Sequence, residues 1–336
     1  MKRLKVGLNG FGRIGRAFTR IALDRNSFDI AVVNTRKTPN NMMSYLLQYD
    51  SVYRKFDKTV KEEPNGFSVD GNLIPTTLAD APENIPWEKY GVDIVVDATG
   101  AFFKTDELQK HIKGSVKKVI LTAPAKDDME HVVLGVNDNA VDWNACNVIS
   151  NCSCTTNSAS PLFKVLHDHF KVVKGFLTTV HAVTLTQSML DDTGKSFDRS
   201  RSAYQNIIPS TSGAAKAVVK TIPELKGKLE VGSIRVPVPV VSLSDISVQL
   251  ERNTTVEEIN AAFKEAAEGP MKGIVRYETE TLVSSDYIGD PHSSIFDANY
   301  TKVIEGNMVK VMGWYDNEWG FSTRLVDMVD KFANYF

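Results

Sequence analysis

Two of the three cysteines in this chain stand one residue apart, in the stretch "SNCSCTTN" at residues 150–157. Thiols so placed could form a metal clip, a redox pair, a nucleophile with a neighbour, or two buried core groups. A zinc clip takes about four ligands, usually from C-x-x-C spacing with a second pair elsewhere. Here Cys146 sits in a loop-like stretch, and the six histidines are scattered without paired spacing. No metal site is expected. Residues at i and i+2 of an extended chain point the same way, but a disulfide between Cys152 and Cys154 would be strained. The nucleophile reading needs a helix start and a base. After Cys154, residues Leu162, Val165, Leu166, His169 and Phe170 recur at helical spacing, so a helix begins near the cysteine. A thiol at a helix N-terminus is expected to have a lowered pKa. His181, in the strand-like "TTVHAVTLT", is the candidate base, because an activated thiol is commonly served by a sequence-distant histidine. Against this stands the ordinary fate of cysteine and histidine as buried core residues. Local sequence leaves both readings open.

The second chemical signal is "VGLNGFGRIG", which places Gly10, Gly12 and Gly15 in G-x-G-x-x-G spacing. It follows a strand-like run and opens a helix-like one, the context that dinucleotide binding requires. Gly10 permits the tight turn, Gly12 lets the backbone approach a pyrophosphate, and Gly15 lets helix and strand pack closely. The helix N-terminus then offers unpaired N–H groups to the anion. The pattern asks for a carboxylate about twenty residues on, to hold the ribose hydroxyls. That strand ends "VVNTRKTPNN", and the slot holds Thr35, followed by Arg36 and Lys37.

Elements that position these groups follow from periodicity. In the first half, "LKVGLN", "DIAVVN", "VDIVVDATG", "KKVILTAP" and "HVVLGVN" are short apolar runs closed by turn residues. Between the first two lies "RIGRAFTRIALDR", with Ile14, Phe18, Ile21 and Ala22 at helical spacing. Strands alternating with helices predict an α/β domain with a mostly parallel sheet. After Gly175, "GFLTTVHAVTLT", "GSIRVPVPVVSLSDISVQLE" and "NMVKVMGWYDNEWG" read as longer strands. They predict a mostly antiparallel sheet backed by helices, a second, α+β domain. Thr255 and Glu258 predict a capping box at the start of the helix that Gly269-Pro270 ends. Leu325, Val326, Val329 and Phe332 mark one face of an amphipathic C-terminal helix. The 336 residues suffice for two such domains, and a net charge of −2 attracts neither nucleic acid nor an acidic membrane. No apolar run has signal-peptide or membrane-spanning length, and three cysteines do not make a disulfide framework, so a cytoplasmic setting is expected.

The segments "KVGLNGFGRIGR", "SNCSCTTN", "TTVHAVT", "NIIPSTSGAAKAV", "RVPVPVVS", "SSDYIGD" and "WYDNEWGFS" together resemble phosphorylating glyceraldehyde-3-phosphate dehydrogenases, in order and over essentially the whole chain. The resemblance implies a Rossmann domain over 1–153, rejoined by the C-terminal helix 318–336, and a catalytic domain over 154–317. It implies Cys154 as nucleophile and His181 as base. It assigns the cofactor to Gly10, Phe11, Gly12, Arg13, Ile14, Gly15, Asn34, Thr35, Arg36, Lys37, Thr99, Gly100 and Thr122, with Asn317 orienting the nicotinamide carboxamide. Thr184 and Arg235 resemble one phosphate site. Ser153, Thr155, Ser212 and Gly213 resemble the other, with Arg199 nearby. Substrates would be a small phosphorylated aldehyde and inorganic phosphate, and the assembly a homotetramer.

The chain departs from the family pattern in places. Cys152 replaces an alanine, Ser158 a second cysteine, and Ser212 a threonine. Thr35 replaces the ribose-binding aspartate, and Asp192-Thr193 a frequent Leu-Pro. The last two favour NADP, alone or beside NAD, while Asp80 and Asp192 oppose it. Two other functions fit the same residues: an erythrose-4-phosphate dehydrogenase, and a nucleotide-binding protein without turnover.

Overall fold

The computed structural model describes residues 3–194 and 196–336. Met1 and Lys2, at the start of the expected first domain, and Lys195, within the "LDDTGKSFDRSR" stretch, lie outside the described residues. The chain forms two compact units, one of Met1–Val132, Ala140–Cys152 and Ser322–Phe336, the other of Val133–Asn139 and Ser153–Phe321.

Among the described residues, the first unit carries strands β1 (Lys5–Asn9), β2 (Asp29–Asn34), β3 (Tyr49–Asp50), β4 (Arg54–Lys55), β5 (Val60–Glu63), β6 (Gly66–Val69), β7 (Asn72–Thr77), β8 (Ile94–Asp97), β9 (Lys118–Leu121), β10 (Glu130–His131) and β11 (Val148–Ser150). Nine of them form one sheet in the order β10-β11-β9-β8-β1-β2-β7-β6-β5. Pairing is parallel from β10 to β7 and antiparallel only at β7-β6-β5. Helix α1 (Arg13–Arg25) buries Phe18, Ile21 and Ala22, as its spacing predicts. Helices α2 (Asn40–Gln48) and α3 (Thr105–Gln109) follow. Of the expected strand at 131–137 only His131, the end of β10, is in a strand. The Asn137 side chain accepts from Val133 N at 2.9 Å and closes a turn there instead.

Lys118, in β9, carries its ammonium group inward. Its Nζ donates to the carbonyls of Trp143, Asn144 and Cys146 at 2.8–2.9 Å and lies 5.4 Å from the Phe332 ring centroid. The Trp143 ring meets Phe332 edge-on at 5.0 Å.

In the second unit, helix α4 (Cys154–Phe170) buries Leu162, Val165, Leu166 and Phe170. His169 is exposed. His167 takes the buried place and accepts from Val172 N at 3.2 Å. The sheet contains β12 (Val172–His181), β13 (Ile208–Thr211), β14 (Leu229–Arg235), β15 (Ser242–Leu250), β16 (Val275–Glu278), β17 (Ser294–Asp297), β18 (Lys302–Ile304) and β19 (Met308–Tyr315). Its order is β13-β14-β12-β15-β19-β17-β16, with β18 on β19, and only β12/β14 and β16/β17 run parallel. Helices α5 (Ala214–Thr221) and α6 (Val256–Glu268) back it, with Phe263 stacked on Phe296 at 3.9 Å. Helix α7 (Trp319–Phe332) follows β19, and Leu325, Val326, Val329 and Phe332 are buried as expected.

Two local expectations change. The run 232–251 is not one strand but β14 and β15, because Pro237 and Pro239 lack ladder donors and Val241 turns the chain at φ 68°. Thr255 caps α6 by accepting from Glu258 N at 3.2 Å, but the Glu258 carboxylate goes to Thr254 and Arg252, so the capping box is half formed.

Candidate active site

Sheet register gathers the first group of site residues. His181, the last residue of β12, pairs with Arg235, the last residue of β14. On the other side of β12, the start of β15 and the end of β19 pair Ser242 with Tyr315. Four side chains from four strands therefore meet at one end of the sheet. Helix α4 starts at the same site because Ser153 adopts extended backbone, φ −111° and ψ 166°, and its Oγ accepts from Thr156 N at 3.1 Å. That puts Cys154 on the first helical position, with its Sγ 3.5 Å from His181 Nε2.

On the far edge of the imidazole, Nδ1 lies 2.7 Å from the Ala182 carbonyl and 2.7 Å from Arg235 Nη1, which also donates to Ala182 O at 3.1 Å. A carbonyl only accepts and a guanidinium only donates, so Nδ1 bonds one of them; with Nδ1–H given to Ala182 O and Arg235 Nη1 donating to the same carbonyl, Nε2 is the acceptor facing the thiol. Burial, and then the Arg235 charge, push His181 down to about 3, with Arg199 adding to the effect. Burial also pushes the Cys154 thiol up, against the pull of Arg235 and of the Thr155 amide. The helix N-terminus thus acts in the expected direction, but the cost of desolvating a thiolate outweighs it. Cys152 is not in an extended segment. Its φ is 58°, it is fully buried, and its Sγ lies 3.9 Å from Val132 O.

Several neighbours were not legible as functional. The Tyr315 hydroxyl bonds Thr179 Oγ1 at 2.7 Å and Thr155 Oγ1 at 3.1 Å. Ser242 Oγ accepts from Ala182 N and donates to Asn317 Oδ1, both at 3.1 Å. Thr186 Oγ1 joins Thr184 Oγ1 at 2.9 Å to Arg199 Nη1 at 2.6 Å. The structure therefore joins Thr184 to Arg199 by hydrogen bonds, through a threonine two residues on. Arg235 keeps a buried Nε with no hydrogen-bond partner. An orphaned guanidinium N–H beside a hydroxyl-lined site suits an incoming anion. The other expected anion group holds local bonds among the described residues: Ser153 to Thr156, Thr155 to Tyr315, and Ser212 to Ala214 N, beside Gly213.

The three glycines of the loop in the first unit have different surroundings. Gly10 has φ 102°, and a Cβ there would lie 2.7 Å from the Ala98 carbonyl. At Gly12 a Cβ would meet nothing within 4 Å, leaving the open space a pyrophosphate would occupy. At Gly15 it would lie 2.3 Å from Gly10 O, so loop and helix close only around glycine. Phe11 packs on Phe67 at 5.5 Å. The Arg13 guanidinium forms a two-pronged pair with Asp50 at 2.9 and 3.2 Å, and Arg13 and Ile14 are the first two residues of α1. Asn34 is buried with its amide committed to Asn9, Thr77 and Ala79. Thr35 Oγ1 bonds Thr38 Oγ1 at 3.2 Å, and Arg36 and Lys37 are exposed. Thr99 bonds Asp97, Gly100 has φ 63°, and Thr122 N donates to Asp97 O. These residues fit a dinucleotide. Among the described residues no cluster of three or more His, Cys, Asp or Glu could hold a metal, and no helix is long and apolar enough to cross a membrane.

Comparison with known proteins agrees with this geometry. The family model "Glyceraldehyde 3-phosphate dehydrogenase, NAD binding domain" matches residues 4–105, and "Glyceraldehyde 3-phosphate dehydrogenase, C-terminal domain" matches residues 153–317. The chain is 49% identical over 330 residues to glyceraldehyde-3-phosphate dehydrogenase 1 of Bacillus subtilis, covering 98% of each chain. It is 49% identical over 331 residues to the Geobacillus stearothermophilus enzyme, again covering 98% of each. It is 46% identical over 326 residues to glyceraldehyde-3-phosphate dehydrogenase 2 of Streptomyces avermitilis, covering 97% of each. With both family domains matched and near half its residues shared with such enzymes along its length, the chain belongs to the glyceraldehyde-3-phosphate dehydrogenase family.

Proposed function

We propose that the chain oxidises D-glyceraldehyde 3-phosphate, with phosphate, to 1,3-bisphosphoglycerate. The observation that carries the mechanism is the contact of Cys154 Sγ with His181 Nε2, backed by Arg235. Cys154 passes its thiol proton to His181 Nε2 as Sγ attacks the aldehyde carbon, and His181 returns that proton to the carbonyl oxygen, forming a thiohemiacetal. His181 Nε2 takes the hydroxyl proton as the carbonyl reforms, leaving a thioester on Cys154. A bound nicotinamide dinucleotide supplies the hydride acceptor. Phosphate oxygen then attacks the thioester carbon, the C–S bond breaks, and the acyl phosphate leaves. Thr184 and Arg235 hold one phosphate group by charge-assisted hydrogen bonds, and Thr186 links Thr184 to Arg199, which lies near the second. Ser153, Thr155, Ser212 and Gly213 serve the second anion site through the amides and hydroxyls at two helix starts. Asn317, its Oδ1 held by Ser242, orients the carboxamide.

Cofactor choice rests on the end of β2. Thr35 presents no carboxylate to repel a 2′-phosphate, and the exposed Arg36 and Lys37 stand beside it. Exposed Asp80 and Asp192 act in the other direction. The reading is dual use with a tilt to NADP, in a cytoplasmic enzyme. Steady-state assays with both cofactors, and with glyceraldehyde 3-phosphate against erythrose 4-phosphate, test activity and choice together. Strong NAD selectivity, unchanged in an Arg36→Ala Lys37→Ala variant, sinks the NADP tilt. Preference for erythrose 4-phosphate would replace the substrate, and no turnover with either aldehyde would leave a nucleotide-binding protein.

A homotetramer is supported by the apolar side chains on the 185–207 segment, where Leu185 is 83% and Phe197 97% exposed, with Leu190 and Ile207 also open. Sedimentation measures the mass directly. A monomer at micromolar concentration rules the tetramer out.

A further inference from the structure

The last residues of three adjacent parallel strands in the first unit lie in one row. Asn9 of β1 is in register with Asn34 of β2 on one side and with Asp97 of β8 on the other. All three are buried. They end the strands just before the glycine loop, the Thr35 turn and the Thr99-Gly100 turn, the crevice where such sheets take ligands.

Their side chains form one hydrogen-bonded chain whose direction is fixed from both ends. At one end, Ala79 N–H can only donate, and it donates to Asn34 Oδ1 at 2.9 Å. Asn34 Nδ2 must then donate to Asn9 Oδ1, 2.8 Å away, and Asn9 Nδ2 to Asp97 Oδ2 at 2.8 Å. At the other end, the Trp87 indole also only donates, to His111 Nδ1 at 3.1 Å. The proton of His111 therefore sits on Nε2, which points at Asp97 Oδ2 at 3.3 Å. Both arms converge on a carboxylate, a group that only accepts. Asp97 Oδ1 in turn receives Thr99 Oγ1 at 2.7 Å and Thr99 N at 3.2 Å. None of these donors is a lysine or arginine. A buried carboxylate so held depends on each neutral donor being in place.

We propose that His111 and Asp97 are positioning residues for the dinucleotide, with Trp87 fixing the tautomer of His111. Neither needs to touch the cofactor. Together they hold the Asn9 amide that precedes the Gly10 turn and the Thr99 hydroxyl that precedes Gly100. The proposal rests on the reading of these loops as the cofactor site.

The test is calorimetric titration of NAD and NADP into the purified enzyme. His111→Phe deletes one arm at similar bulk. Asp97→Asn keeps the size but turns an acceptor into a donor that faces an N–H. Each should weaken binding of the preferred cofactor by about tenfold or more, on the scale of one unsatisfied buried group. The Michaelis constant for the aldehyde at saturating cofactor should stay within about twofold. His111→Gln, whose amide can still donate to Asp97, should bind within about threefold of the parent. Unchanged cofactor affinity in folded His111→Phe and Asp97→Asn would overturn the proposal, as would equal losses in His111→Phe and His111→Gln. If His111→Phe does not fold, Asp97→Asn decides alone. A parent enzyme that binds neither cofactor overturns the underlying reading and this one with it.

Discussion

Arg235 Nη1 lies 2.7 Å from Nδ1 of His181, on the ring edge opposite Cys154. Burial opposes a second proton on the imidazole, and the permanent cation there opposes it further. Cys154→Ser removes the shared thiol proton and isolates the effect. In that variant the His181 ring should stay neutral far below the usual value of about 6.5, toward about 3. Between those values the unfolded chain binds a proton that the folded chain refuses. Stability conferred by neutral His181 is thus complete above about 6.5 and is lost as pH falls, at up to about 1.4 kcal/mol per unit. Imidazole nitrogen shifts read the titration directly. A midpoint at or above 6.5 would refute the assignment.

The nucleophile should be separable from its neighbour. Cys154→Ser should abolish turnover, while Cys152→Ser should leave most of it. His181→Asn should cost about 10²–10⁴ in kcat, the usual range for a lost general base. Iodoacetamide should label Cys154 first. Labelling at Cys152, with Cys152→Ser as the dead variant, would reverse the roles.

Anion recognition should respond to the threonine that joins Thr184 to Arg199. Thr186→Val should raise the Michaelis constant for the phosphorylated aldehyde by about fivefold, the scale of one net hydrogen bond. Arg235→Ala should raise it by about tenfold or more, since a charged donor is lost. An unphosphorylated aldehyde is the control. Equal losses with both substrates would make these residues structural.

Loop closure around Gly15 leaves no room for a methyl group. Gly15→Ala should destabilise the protein by about 1–3 kcal/mol through overpacking against Gly10 O, and should weaken cofactor binding. Gly12→Ala should fold normally, because its Cβ would meet open space, and should lose cofactor affinity alone. Thermal melts paired with binding titrations separate the two. Comparable melting losses in both variants would contradict the distinction.

Chemistry with a local signature was legible in the sequence. The glycine spacing, the helix start after Ser153 and the strand holding His181 each lie within a short window. Residues brought together by sheet register were not. Arg235 meets His181 across 54 positions of sequence because β12 and β14 run parallel, a pairing that periodicity does not encode. Tyr315 meets Thr155 of α4, and Ser242 meets Asn317 beyond β19, by tertiary placement that periodicity does not encode either. The break at Val236–Val241 could be suspected from two prolines, but the left-handed turn at Val241 falls on a β-branched residue, where sequence argues against it. Thr186 is one of the two threonines in "VTLTQ", and only the position of Arg199 marks it.

Lys118, enclosed by the carbonyls of 143–146 and facing Phe332, carries a consequence for the order of assembly. Trp143 and Lys118 form the seat of the last helix, yet residues 153–318 are synthesised before that helix. The nucleotide-binding unit therefore waits, with the Trp143 ring and Lys118 uncovered, while the catalytic unit can complete its own core. Chaperone dependence and aggregation during synthesis should be concentrated in that interval.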